Sequence, residues 1–374
     1  MRINEPEFNK KPSLTFSENY KIQMVRFYLL AGLVAVLSVL QLNAQEARFA
    51  QFYANPMYTN PAMTGVMEGQ LRFTANYREL YTSILGNDGF RTISAGLEIR
   101  RPVGRGNFFG FGAQFLRDQA AGNFTRNTGV LSGSFQKKLA GGRRGPTYFL
   151  SGGAQLGFGQ RGFDVNKLWF SNQFFVDDIN RTAFIDRGLS SGEAFGAANS
   201  GLYIDFNAGL LWYGVMQNGT SFYVGGSAYH LNEPNISFIG LDDPLARRFV
   251  GHAGAELPLG SSGFSILPAT MVQIQGPATS ATAGANFRYS QKDWKEVALR
   301  AGLWAHVSNR LDALAMDAMI FTAVLELERV QFGVSYDITV NDLKLSNNGR
   351  GAFELSMIYV QKANYRSKVE CPTF

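Results

Sequence analysis

The sequence predicts an all-β fold: a transmembrane antiparallel β-barrel of about 14 strands, with a short N-terminal plug segment. Three observations carry that expectation. Of 374 residues only 17% are charged, while 13% are aromatic and 41 are glycine. Soluble domains carry about 25% charge, and disordered chains lack aromatics. Many segments alternate with period two, apolar on one face and polar on the other, as a strand between lipid and a polar lumen must. Ahead of them lies an export signal.

Residues 1–23 are polar and patternless. Met24 opens the signal, with Arg26, the uncharged run Phe27–Leu40 and then Gln41-Leu42-Asn43-Ala44. A basic residue, an apolar run too short to span a bilayer and a small residue before the cut describe a secretory signal peptide. Residues 1–44 are therefore expected to be removed, with cleavage after Ala44. Gln45, not a cysteine, stands directly after the cut, so a lipid anchor there is not expected. The formal net charge of +6 includes five Lys or Arg and three Glu within residues 1–44. That balance is too mild to suggest nucleic acid as a partner. The single cysteine, Cys371, excludes a disulfide framework and a cysteine-based metal centre.

Residues 45–69 contain Gln51-Phe52-Tyr53-Ala54-Asn55-Pro56-Met57-Tyr58-Thr59-Asn60-Pro61-Ala62-Met63-Thr64-Gly65. Each proline removes a backbone donor and pushes the preceding asparagine to an extended or turn geometry. The stretch cannot be an ordinary barrel strand. It reads as a compact, kinked element between signal and barrel, and the candidate plug residues are Gln51, Tyr53, Asn55, Pro56, Asn60, Pro61, Ala62 and Gly65.

Residues 70–361 read as the barrel. In Arg329–Asn341, Val330, Phe332, Val334, Tyr336, Ile338 and Val340 share one face, and Gln331, Ser335, Asp337 and Thr339 the other. Lys295–Val307, Leu202–Trp212 and the stretches around Leu71–Arg78 and Ile93–Arg100 repeat the pattern. Further strands are expected near 106–117, 125–138, 146–159, 219–230, 247–258, 264–274, 278–289, 314–326 and 350–361, of which 314–326 alternates poorly. Arg72, Arg78, Glu98, Arg100, Asp205, Glu256, Arg300, Asp337 and Glu354 are expected to face the lumen. Short inner turns and longer outer loops alternate, the longest at 160–199, as in outer-membrane barrels. Residues 362–374 are left as a periplasmic tail.

The double Asn-Pro run resembles the opening motif of the PorP/SprF family of the type IX secretion system. Tyr77-Arg78, Asp118 with Ala121-Gly122, His230-Leu231-Asn232-Glu233-Pro234, His252 with Gly254, Ser335-Tyr336-Asp337-Ile338-Thr339, Glu354 and Cys371-Pro372 resemble later motifs of that family in order. Trp304-Ala305-His306 departs from the strand end the family pattern leads one to expect. The resemblance implies a cell outer membrane barrel that takes part in export or surface attachment of secreted proteins or gliding adhesins in Gram-negative cells. The partners it implies are the type IX translocon, periplasmic ring lipoproteins and a secreted client, in a setting of lipid bilayer and lipopolysaccharide.

Two surfaces are candidates for such contacts. Arg100, Arg101, Lys137, Lys138, Arg143 and Arg144 gather at the inner turns and form a candidate docking face for an acidic periplasmic partner. The long outer loop carries Trp169, Phe175, Asp177 and Asp178, a candidate client contact. Chemistry motifs are weaker. Gly157 to Gly162 fits a dinucleotide fingerprint but needs a following helix, and Gly188 to Gly192 fits a nucleophile elbow but needs a strand and a helix around it. His230, His252 and His306 lie on separate strands, where hydrogen bonding within the lumen explains them better than metal binding. No cofactor, metal or catalytic residue is expected. Three functional classes are weighed: a non-enzymatic secretion-machine subunit, an outer-membrane channel or transporter for small solutes, and an outer-membrane hydrolase, for which the sequence shows no Ser or carboxylate paired with His at the rim.

Overall fold

The computed structural model describes residues 46–141, 145–164, 167–177, 182–192, 199–260, 262–290, 297–309 and 314–362. The signal segment, Arg143, Arg144, Asp178, Cys371 and the tail beyond Lys362 lie outside them.

Sixteen strands are found among the described residues. They are β1 (Gly69–Leu80), β2 (Phe90–Val103), β3 (Asn107–Ala120), β4 (Phe124–Ala140), β5 (Thr147–Phe163), β6 (Phe174–Asp177), β7 (Thr182–Ile185), β8 (Tyr203–Val215), β9 (Ser221–Tyr229), β10 (Arg248–Pro258), β11 (Phe264–Gln275), β12 (Ala278–Tyr289), β13 (Ala298–Asn309), β14 (Leu314–Glu326), β15 (Val330–Thr339) and β16 (Arg350–Lys362). Fourteen of them close into one antiparallel barrel, and β6 with β7 forms a separate hairpin in the longest loop. Closure runs through β1 and β16, where Asn76 stands opposite Ser356 and Arg78 opposite Glu354. A closed barrel leaves no strand edge, so every ladder can be paired within a bilayer that offers no hydrogen bonds of its own.

The expected strand faces hold. Ile93, Leu97, Phe111, Leu131, Phe206, Leu299, Phe332 and Val334 are exposed on the outer wall, while Arg72, Ser94, Glu98, Asp205, Arg300, Asp337 and Glu354 are buried inside. β5 runs four residues further than the alternation implied, because Phe163 pairs with Phe124 at the start of β4. The weakest expected strand, 314–326, is β14. Its inner face carries Ala318, Ile320 and Val324, all buried, so both faces are apolar and the alternation is blurred in the sequence. Ile320 joins Phe52, Tyr53, Val250, Met271 and Trp304 in an apolar cluster inside the barrel. A second cluster sets Ala62, Met63 and Val66 against Phe108, Phe149, Leu211, Tyr213 and Tyr223. The lumen is thus a mixed interior with two small cores, each completed by the N-terminal segment.

Trp304 occupies the position where the sequence departs from the family pattern. Its ring meets Phe52 edge-on at 5.7 Å and stacks on Tyr53 at 5.7 Å. Replacing Trp304 with Ala leaves a void beside both rings and is expected to cost about 3–5 kcal/mol. The temperature at which the folded barrel converts to the slower, heat-denatured electrophoretic form should fall clearly; an unchanged transition would show that the cluster contributes little.

Candidate functional site: the filled lumen

The site is built from residues 46–68, which cross the barrel interior in short helical pieces. Local chemistry dictates those pieces. Pro56 opens the turn Pro56–Thr59 and Pro61 the turn Pro61–Met63, positions where a missing N–H costs nothing. Asn60 is extended, at φ −159° and ψ 124°, as a residue before proline must be, and its Oδ1 accepts from the Ala62 N–H at 2.8 Å. The two Asn-Pro pairs therefore break the segment into short helical turns.

A segment without a ladder leaves its main-chain groups to the wall. The Ala50 and Gln51 N–H groups donate to the Glu354 carboxylate at 2.7 and 3.0 Å. The Gly65 N–H donates to Glu98 at 2.8 Å. Carbonyl oxygens of Met57, Tyr58, Thr59, Ala62 and Thr64 accept from Gln155, Tyr229, Ser227, Ser151 and Ser134. Arg72 donates to the carbonyls of Val66 and Met63 while its guanidinium holds Glu98 at 2.7 and 2.8 Å. Arg78 bridges Glu354 and Asp337 at 2.9 and 2.5 Å across the barrel seam. The lumen-facing charges foreseen in the sequence thus serve as an anchoring frame for the segment.

All eight expected plug residues are buried in this frame. The Gln51 Oε1 accepts from Ser356 at 2.8 Å. Asn55 donates to Ser94 at 3.1 Å and accepts from Gln114. Asn60 reaches the Leu210 carbonyl at 3.0 Å and His252 Nε2 at 2.9 Å, so that nitrogen is the acceptor. Gly65, at φ +71°, lies where a Cβ would stand 2.8 Å from the Gly110 Cα. The wall gives way in turn: a Cβ on Gly153 would meet the Pro61 carbonyl oxygen at 2.4 Å.

One anchor was not foreseen. Glu46, ahead of the motif, is enclosed by Arg126, by Arg248 at 3.2 Å and by His230 at 2.7 Å, with Asp205 at 2.8 Å on the other ring nitrogen. Burial alone would raise the Glu46 carboxyl, yet Arg126, His230 and Arg248 hold it well below the usual carboxylate range. Burial opposes the charged His230 ring, and Glu46 and Asp205 overcome it to raise its pKa. The signal was an acidic residue standing alone between the expected cut and the motif. Arg248 also lies over the Tyr58 and Tyr229 rings, at 4.5 and 4.1 Å.

The two surface candidates fare differently. Arg100 is a lumen residue: it donates to the Met67 carbonyl and lies 3.6 Å over the Phe108 ring, so it is removed from the docking face. Arg101 and Lys137 are exposed and Lys138 is half-buried at the turn end. In the long loop Trp169 stacks on Phe174 and Phe175 on Phe184, all exposed, with Asp177 at the end of β6. The dinucleotide-like glycines lie within β5, and the helical element that next follows among the described residues is only the three-residue turn Ser171–Gln173 in the loop. No cluster of His, Cys, Asp or Glu among the described residues has the makings of a metal site.

Gly153→Val places a branched side chain against the segment's backbone, whereas Gly133→Val adds the same group where nothing lies within 4 Å. The first should raise the conductance of the purified barrel in planar bilayers severalfold while the fold survives, and the second should not. Equal, low conductance in both would mean the segment does not seal the lumen.

A family model described as type IX secretion system membrane protein PorP/SprF matches residues 41–359. No curated protein matches. Among solved structures, CdiB from Acinetobacter baumannii is similar with a TM-score of 0.42 and 7% identity over 78% of this chain, which spans 60% of that one. The TodX deltaS2S3 mutant monoaromatic hydrocarbon channel gives 0.44 and 10% identity, covering 82% of this chain and 94% of its own. A Pseudomonas aeruginosa FadL homologue gives 0.38 and 14%, covering 80% and 92%. The family match extends over most of the sequence and over both the luminal segment and the barrel: the chain belongs to the PorP/SprF family of type IX secretion system membrane proteins, and is a β-barrel of the outer membrane.

Proposed function

We propose that this protein is a closed, non-enzymatic barrel subunit of the type IX secretion system. In this reading it supports export or surface attachment of a secreted protein or gliding adhesin and docks to periplasmic ring lipoproteins. The observation that carries it is the filled lumen. Both apolar clusters and the wall carboxylates Glu98 and Glu354 are engaged by one covalently attached segment, whose own Glu46 is held by Arg126, His230 and Arg248. A small-solute channel would need that interior for its solute. A subunit that works through its two ends does not.

The ends supply the contacts. At the turn end Arg101, Lys137 and Lys138, with Arg143 and Arg144 beside them in sequence, offer basic charge to an acidic periplasmic partner. Opposite charges of this kind steer association and fix orientation more than they add affinity. At the loop end the β6–β7 hairpin exposes apolar side chains on both faces, Val176 and Phe184 more than half exposed. A contiguous exposed apolar patch of this kind marks an interaction site more often than a lone exposed side chain does.

Reversing Lys137, Lys138, Arg143 and Arg144 to Glu should leave a heat-modifiable barrel in the outer membrane but abolish co-purification of its periplasmic partner, most clearly at moderate salt. A photo-crosslinker at Phe175 should capture an exported protein in cells. Retention of every partner by the reversed variant, or a barrel that always purifies alone and conducts small solutes, would overturn the reading.

A further inference from the structure

The residues that hold the N-terminal segment lie in a definite order along the barrel. Six short connections join β2 to β3, β4 to β5, β8 to β9, β10 to β11, β12 to β13 and β14 to β15 at one end, and the long connections stand at the other. In outer-membrane barrels the short turns face the periplasm and the long loops the outside. Glu46 is held entirely at the loop end. Arg126 is the third residue of β4, Arg248 the first of β10, and His230 follows the last residue of β9. The Glu46 N–H donates at 3.1 Å to Gln275, the last residue of β11.

From there the contacts descend toward the turn end with one return at Tyr58, whose carbonyl accepts from Tyr229, the last residue of β9, and whose ring lies under Arg248. Ala50 and Gln51 bond Glu354 near the loop end of β16, and Asn60 reaches Leu210 in the lower half of β8. Thr64 is held by Ser134 and Gln136 near the turn end of β4, and Met67 by Arg100 near the turn end of β2. On β4 alone, Arg126 and Gln136 mark the two ends of the path. Their separation is roughly 33 Å along the strand at 3.3 Å per residue, or about 25 Å across the membrane once a barrel strand's tilt is allowed for. That is the height of the apolar band of such a barrel.

We propose that the N-terminal segment enters the barrel from the periplasmic side with its N-terminal end leading, and that it delivers the chain's processed N-terminus to the cell-surface mouth. With cleavage after Ala44, as the sequence predicts, the mature chain begins one residue before Glu46. The Glu46 socket then acts as the outer clasp: its two arginines and His230 receive a single incoming carboxylate, and the pair Arg72–Glu98 holds the segment at the inner end. The N-terminus of the chain becomes an outward-facing group beside the loops, available to whatever binds there. The inference uses only the path of the segment and the sidedness of the barrel, so it stands or falls independently of the docking proposed at the turn end.

The test is topological. A short epitope inserted between Gln45 and Glu46 is compared with the same epitope in the 216–220 turn and in the 237–242 loop. Antibody should reach the N-terminal epitope on intact cells as it reaches the loop epitope; access only after the outer membrane is opened, as for the turn epitope, overturns the inference. Because an insertion could unseat the segment, a second variant carries Gln45→Cys with Cys371→Ser and no insertion. A membrane-impermeant maleimide should label it on intact cells while the purified barrel keeps its low conductance. Labelling only after permeabilisation, or no labelling until the protein is denatured, counts equally against it.

Discussion

The structure depends on one constraint: a stretch of main chain without strand or long helix is buried inside the barrel, away from bulk solvent. An orphaned buried amide or carbonyl costs about 1–3 kcal/mol, and residues 50 to 67 would present more than a dozen. The wall answers with side chains chosen for main-chain work, Gln155, Ser151, Ser227, Tyr229 and Ser134 donating to carbonyls and Glu98 and Glu354 accepting from amides. Charge follows from the same need. A carboxylate that accepts two amides inside a barrel must itself be balanced, and Arg78 does this for Glu354 while Arg72 does it for Glu98. Removing one partner of such a pair leaves the other buried and uncompensated, which costs about 3–5 kcal/mol. The ion pairs thus belong to the segment's seat as much as to the barrel.

Most of the barrel was legible because lipid imposes the sharpest rule in the molecule. An outer face that cannot carry charge forces period-two alternation, and β15, β13 and β8 show it plainly. The strand that resisted, β14, did so because its inner face meets Phe52 and Tyr53 rather than water. Alternation reports the difference between two environments, and it fades where both are apolar. Trp304 belongs to the same exception: it looked out of pattern on a polar face, and it packs on the segment's aromatic pair.

The plug motif was legible through its prolines, whose geometry is local. Its partners were legible only as a set of inward charges, since nothing in a single sequence says that Arg72 answers Glu98 or that Arg78 spans the seam from β1 to β15 and β16. Arg100 shows the limit clearly. Its neighbour Arg101 suggested a basic rim, but the strand's alternation turns Arg100 inward onto Phe108 and the Met67 carbonyl while Arg101 stays exposed. Glu46 was missed for the opposite reason: a lone acidic residue at a chain end usually lies in solvent, and only the converging strand ends β4, β9 and β10 make it a socket.

Seating and closure are coupled by these contacts. Glu354 and Arg78 lie on the two strands that close the barrel, and the same carboxylate holds Ala50 and Gln51. Until β16 meets β1, that site for the segment is incomplete; until the segment arrives, two amides are missing from the carboxylate's environment at the seam. Each step supplies what the other lacks, so the cooperative unit is barrel plus segment. A barrel that closed first would enclose Gly153 and Gly110 around empty space, with Phe108, Phe149 and Tyr213 exposed to a wet lumen. The apolar patches that complete their cores on Ala62, Met63 and Val66 therefore favour loading during closure, with the segment drawn in from the periplasmic end before β16 seals against β1.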